Sequence, residues 1–139
     1  MATTLMPSMA KSDTIAELKT PETISAKSLF TEVNASGLAE INDSNSSLYK
    51  VGRAVFGQIR FSLKTNTNAS TTLFTPKTQA LKAKWYPTST PANYAVFPAF
   101  STWDASKTAL VFMNDSYEFG IGVATAGDYV VTLSYVARS

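Results

Sequence analysis

The 139-residue sequence contains neither cysteine nor histidine. The first absence excludes disulfide scaffolds, thiolate metal sites and cysteine nucleophiles. The second removes the commonest general base and the commonest transition-metal ligand, so serine–histidine catalysis is impossible. Charge is sparse as well, at 16% of residues, and the lysines and arginines are scattered with no run that resembles a nucleic-acid stripe. No stretch reaches the roughly 18 consecutive apolar residues that suggest a membrane span. The opening Met1-Ala2-Thr3-Thr4-Leu5-Met6-Pro7 has neither a basic start nor a sustained apolar run, so no signal peptide is expected. The glycosylation-type triplets at Asn34, Asn42, Asn45, Asn68 and Asn114 then read as chance in a chain rich in Asn and Ser.

Catalytic pairs are also short. Glycoside hydrolysis needs two carboxylates in distinct protonation states. The C-terminal two thirds offers only Asp104, Asp115, Glu118 and Asp128, and Asp115 and Asp128 sit in turn sequences that account for them. Gly120-Ile121-Gly122 is too short to cradle a phosphate. The expectation is a protein that is not an enzyme and needs no cofactor or metal.

What is present is enough for one packed core: 45% hydrophobic and 12% aromatic residues, in a length ordinary for a single domain. Charge divides unevenly. Residues 1–49 hold three basic and six acidic side chains, a net −3, and residues 50–139 hold nine and four, a net +5. A mildly basic C-terminal part either steers an anionic surface polymer or is simply a solvated surface.

The hydrophobic period changes near residue 50. Upstream, Thr31, Leu38 and Asn45 form one heptad column, and Asn34, Ile41 and Leu48 the other. This predicts a thin helical seam across residues 25–50, one that a single chain cannot hide and that therefore implies self-association. The alternative is a solvated helix packed on the rest of the protein. A helix is also expected to start at Thr23 or Ser25 and run through Val33, and another over Asp13–Lys19. Residues 1–24 read as a leader or attachment segment.

Downstream the pattern alternates. Val55, Gly57, Ile59, Phe61 and Leu63 fall on one side, with Phe56, Gln58, Arg60, Ser62 and Lys64 on the other. Strands are predicted over 55–64, 81–86, 109–113, 117–123 and 129–136, separated by turn residues such as Asn114-Asp115 and Gly127-Asp128. Residues 51–139 thus form a predicted antiparallel β-sandwich head, jelly-roll-like, of roughly six to nine strands. Gly120 and Gly122 share one strand face, which backbone or a neighbouring subunit should approach closely.

A polar leader, an Asn-punctuated helical string from Leu38 to Leu48 and a C-terminal β-head resemble bacteriophage tail-fibre and baseplate receptor-binding proteins. Val51-Gly52-Arg53-Ala54-Val55-Phe56-Gly57-Gln58-Ile59 is similar to the first strand of fibre-tip domains. Ala126-Gly127-Asp128-Tyr129 through Val136 is similar to their last. The resemblance spans most of residues 25–139 as architecture, without a diagnostic motif. It implies a homotrimer with a three-helix stalk under three heads. The N-terminus would attach to other tail or baseplate proteins, and the heads would bind a host cell-wall saccharide. It places the protein in the virion, made in the host cytoplasm. Saccharide sites in that family often use histidine, so any site here must rely on other residue types. A structural tail component with no receptor site, or a trimeric jelly-roll ligand for a protein receptor, are the alternatives.

Saccharide recognition calls for an aromatic platform beside polar groups. The leading constellation is Trp103 with Asp104, and Lys107 nearby in the same loop; a core-capping role for Trp103 is the other reading. In Trp85-Tyr86, strand alternation turns Trp85 inward and Tyr86 outward, which makes Tyr86 the contact residue. Tyr94, between Pro91 and Pro98, either lines a pocket or packs it. Arg53 and Arg60 are able to hold anionic groups in bidentate fashion, unless they only solvate strand faces.

Overall fold

Antiparallel strand pairing organises the backbone in the computed structural model, which describes residues 21–77, 85–86, 95–114 and 116–137. In chain order the elements are β1 (Glu22–Ser25), α1 (Ala26–Leu29), β2 (Phe30–Glu32), β3 (Ala39–Ile41), β4 (Ser47–Val51), β5 (Ala54–Leu63), β6 (Thr71–Pro76), β7 (Ala95–Ser101), β8 (Thr108–Met113), β9 (Phe119–Ile121) and β10 (Gly127–Val136). The strands join in the order β1-β4-β5-β10-β7-β8-β9-β6-β2, and β3 also pairs with β5, beyond the end of β4. β1 and β2 stand at opposite ends of that order, yet only the single turn of α1 separates them in sequence. One helical turn rises about 5.4 Å, so the two ends of the sheet must lie close together. The sheet therefore curls back on itself, with its apolar residues inside.

The alternating run behaves as predicted. Along β5, Val55, Ile59, Phe61 and Leu63 are buried while Ala54, Phe56 and Gln58 are exposed. β10 pairs with β5 along its whole length, from Gly127↔Leu63 to Val136↔Ala54, and buries Tyr129, Val131 and Leu133 on the same side. Phe61 ties the layers together, stacked on Tyr129 at 5.8 Å and edge-on to Phe74 at 5.7 Å. Gly57 is required by close approach: a Cβ there would lie 2.2 Å from the Ser47 carbonyl oxygen and 2.9 Å from the Leu48 Cα. Of the glycine pair at 120 and 122, a Cβ at Gly120 would meet the Phe112 ring, and a Cβ at Gly122 would meet nothing within 4 Å.

The helical stalk predicted over 25–50 is corrected by the structure. α1 begins where expected, with the Ser28 amide donating to Ser25 Oγ at 3.3 Å. It stops after one turn, because Phe30 is already extended at φ −126° and ψ 146°. Ile41 lies in β3 opposite Phe61, and Leu48 lies in β4 opposite Gly57. Both are buried, and Leu38 packs against the same core. Asn45 belongs to a 3-10 turn, Asp43–Asn45, between the two strands. Helix-like spacing thus came from two short strands and a turn, all lying along one side of β5. The seam is hidden by its own chain, so self-association no longer follows from it. The boundary expected at residue 50 falls inside β4. The predicted Asp13–Lys19 helix lies outside the described residues, as does most of the strand predicted over 81–86. The strand predicted over 117–123 shortens to β9, preceded by a turn in which Tyr117 has φ 62°.

Candidate functional site

Strand register builds one cleft on the outward side of the sheet. Ser62 of β5 sits opposite Asp128 of β10, and Arg60 sits opposite Val130. On the other flank of β10, Val130 faces Phe100 of β7, and the Thr102 amide donates to the Asp128 carbonyl at 2.9 Å. The β7–β8 connection follows at once and is tied to itself. Ser101 Oγ accepts from the Trp103 and Asp104 amides at 3.3 and 3.1 Å. The Lys107 amide donates to the Asp104 carbonyl at 3.0 Å.

That loop delivers Trp103 to the cleft. Its indole Nε1 donates to Asp128 Oδ2 at 3.1 Å, while Ser62 Oγ donates to Asp128 Oδ1 at 2.5 Å. Although its N–H is anchored, Trp103 remains 84% exposed. Tryptophan is highly buried on average, so an indole this open stands out. The cleft, about 140 Å³, is also lined by Asn42, Arg60 and Thr102. Arg60 Nε is buried with no hydrogen-bond partner. A guanidinium donor removed from water without a partner is costly, and Arg60 lines the cleft with a guanidinium that carries further donors. The arrangement offers an aromatic platform, a carboxylate with further acceptor capacity, a cation and an amide, all within one small hollow.

The sequence-predicted residues fare unevenly. Trp103 is in the cleft, and the expectation that it is available for contact agrees with its exposure. Asp104 is not its partner. The Asp104 carboxylate accepts from the Ser106 amide and hydroxyl at 3.0 and 2.6 Å. Those bonds, with the Lys107 charge as a smaller contribution, hold its pKa below the ordinary aspartate value. Lys107 is exposed and borders a different hollow, alongside Asn66, Ser106 and Val123. Tyr86 is corrected: it is fully buried, and its hydroxyl donates to the Leu29 carbonyl at 2.7 Å. Its ring meets Phe30 edge-on at 5.6 Å. Trp85 is buried beside it; two consecutive buried residues show that alternation does not hold there, so one neighbour facing in does not send the other out. Burial raises the Tyr86 pKa well above its usual value. Tyr94 lies outside the described residues. Arg53 is used structurally, its Nε donating to the Ala137 carbonyl at 3.0 Å.

Sequence alone accounts for Asp128 as a turn residue and gives Ser62, Thr102 and Asn42 no distinguishing signal. For Arg60 and Ser62 it gives only a place on the polar side of β5. That Asp128 joins them depends on the pairing of two strands far apart in sequence, which alternation alone does not specify.

No family model matches the sequence, and no curated protein matches it.

Proposed function

We propose that this protein is a saccharide-binding adhesion head, a curled antiparallel sheet of jelly-roll type, of the kind the resemblance to phage receptor-binding proteins implies. The observation that carries the reading is Trp103, anchored by its N–H to Asp128 yet 84% exposed beside the unpartnered Arg60 Nε. The indole offers an apolar surface to the C–H face of a sugar ring. Asp128 accepts from ring hydroxyls, and Arg60 donates to a hydroxyl or to a carboxylate or phosphate substituent. Asp128 is the only carboxylate lining the cleft among the described residues, one short of the pair that glycoside hydrolysis uses. That supports binding without turnover.

Threefold assembly and a virion setting belong to the same proposal. With the seam buried, assembly is supported by the outward side of β7 and β8, where Val96, Phe100 and Leu110 are each more than half exposed. A face of this kind suits burial against copies of the chain. Several heads on one particle would turn weak single contacts into avidity. A structural tail component would use the apolar face alike and would have no use for the cleft.

The test is a printed array of bacterial surface glycans probed with the wild-type protein and with Trp103→Ala. The wild type should bind a subset of the array, and the variant should lose about tenfold or more in affinity, about 1.4 kcal/mol. Its folding should be unchanged, since the side chain is exposed. Full binding by a folded Trp103→Ala variant removes the cleft from the reading, and a silent array favours the structural component.

A further inference from the structure

We infer that the Trp103 cleft is one end of a longer groove along β5 that takes a linear polysaccharide chain, not a single terminal sugar. The inference rests on the saccharide reading above and names its ligand class. The outward row of β5 is Phe56, Gln58, Arg60 and Ser62, matched across β10 by Ser134, Thr132, Val130 and Asp128. Phe56 and Ser62 are six residues apart, about 20 Å at strand rise. Trp103 stands at the Ser62 end through Asp128. At the other end Phe56 stacks on Tyr49, with centroids 5.9 Å apart and planes at 24°. These rings are 43% and 38% exposed, so the strip carries an open aromatic platform at each end.

The two ends share a wall. The Phe56 end is a shallow groove of about 410 Å³ whose polar lining includes Asn45, Ser47, Gln58 and Thr132. Asn45 Nδ2 donates to Asn42 Oδ1 at 3.4 Å, and Asn42 lines the Trp103 cleft. The 3-10 turn Asp43–Asn45 borders the Phe56 end and its N-cap Asn42 borders the Trp103 cleft, and Gln58 Nε2 braces the turn by donating to the Asn45 carbonyl at 3.2 Å. Arg60 lies between them on β5. The Phe56 end is lined by hydroxyls and amides with no charged side chain among the described residues, whereas Arg60 and Asp128 concentrate charge at the Trp103 end. Neutral hydrogen-bonding groups between two aromatic platforms suit a hydroxyl-rich chain, and a disaccharide is too short to reach both platforms.

The experiment uses an array of linear glucans, chito-oligosaccharides and uronate-bearing oligomers. Each sequence is printed as a disaccharide and as a chain able to span about 20 Å. The wild type should bind the long form about tenfold or more tightly than the disaccharide of the same sequence. Tyr49→Ala with Phe56→Ala should bring the long form down to the disaccharide level and leave the disaccharide signal unchanged. Should that pair misfold, Gln58→Ala is the second variant, with a smaller loss confined to long chains. Trp103→Ala should weaken both lengths. Binding that depends on Trp103 but is equal for both lengths, or is indifferent to Phe56 and Gln58, overturns the groove and leaves the cleft standing. Binding indifferent to Trp103 removes the cleft and the groove with it, and no binding at all defeats the saccharide reading.

Discussion

Two neighbouring stretches of this chain, 38–48 and 54–63, both place apolar residues at regular intervals, and only one of them keeps its period. In β5 the interval of two persists for ten residues, and every inward residue but the half-buried Gly57 is buried. In the upstream stretch Ile41 and Leu48 are seven apart, the spacing of a heptad, yet they sit on different strands with a 3-10 turn between. Each strand contributes its own alternation: Ala39 and Ile41 in β3, Leu48 and Lys50 in β4. A period is evidence for an element only when the element is long enough to repeat it. Three-residue strands never do, and their turns set the apparent spacing instead.

The largest expected effect tests this contrast directly. Leu48→Ala removes a fully buried side chain packed over Gly57 and should cost about 2–5 kcal/mol in unfolding free energy. If Leu48 instead served a helical seam between copies, the substitution would lower the solution mass before it lowered stability. Denaturant unfolding and light scattering separate the two. The midpoint should fall while the mass of the folded variant stays that of the wild type. A wild-type mass near three times 15.0 kDa would show that threefold assembly exists and uses another surface.

A smaller effect is expected at the buried tyrosines. Tyr86 and Tyr135 donate their hydroxyls to the Leu29 and Trp85 carbonyls. Burial is the main reason that both pKa values are raised above 10.0, and for Tyr135 the proximity of Tyr86 adds to it. The sign follows from linkage. The folded state favours the neutral phenol, so this stabilisation is complete below a pH of about 10, where unfolded tyrosine ionises. It is lost progressively as pH rises from there toward the folded values. Tyr86→Phe should cost about 0.5–1.5 kcal/mol at neutral pH, because the Leu29 carbonyl loses one donor and keeps the Lys77 amide. The variant should also show a shallower loss of stability above that pH. A variant as stable and as alkali-sensitive as the wild type would refute the buried role.

The two ten-residue strands were the most legible, whereas β6 and β7, of six and seven residues, were not predicted. β5 and β10 could be read from alternation, including which side faces inward, because ten residues overdetermine the pattern. β1 to β4 could not: each is five residues or fewer, too short to repeat a period. The site was half legible for the same reason. Trp103 announced itself by residue type, but its carboxylate partner was assigned to Asp104, next in sequence, instead of Asp128, next in space. Tyr86 was misplaced because alternation was extended to a position where Trp85 and Tyr86 are both buried. Local pattern identifies chemistry-bearing residues, whereas register decides which of them meet.

The smallest stability effect belongs to Asp104, and the sharpest contrast lies between those two aspartates. Asp104→Asn weakens an exposed loop bond to Ser106 and should change stability by no more than about 0.5 kcal/mol. Saccharide binding should survive it, since Trp103 keeps its partner. Asp128→Asn costs the fold more, about 1.5–3 kcal/mol, because it replaces the half-buried carboxylate that accepts from both Trp103 Nε1 and Ser62 Oγ. A neutral amide offers one acceptor oxygen and no charge, so the anchored indole is released and a sugar hydroxyl loses its ionised acceptor. Binding should fall by about tenfold or more, the equivalent of one charge-assisted hydrogen bond. Isothermal titration with the best array glycan separates the two variants. Equal losses would mean that the loop as a whole, not the Trp103–Asp128 pair, shapes the cleft.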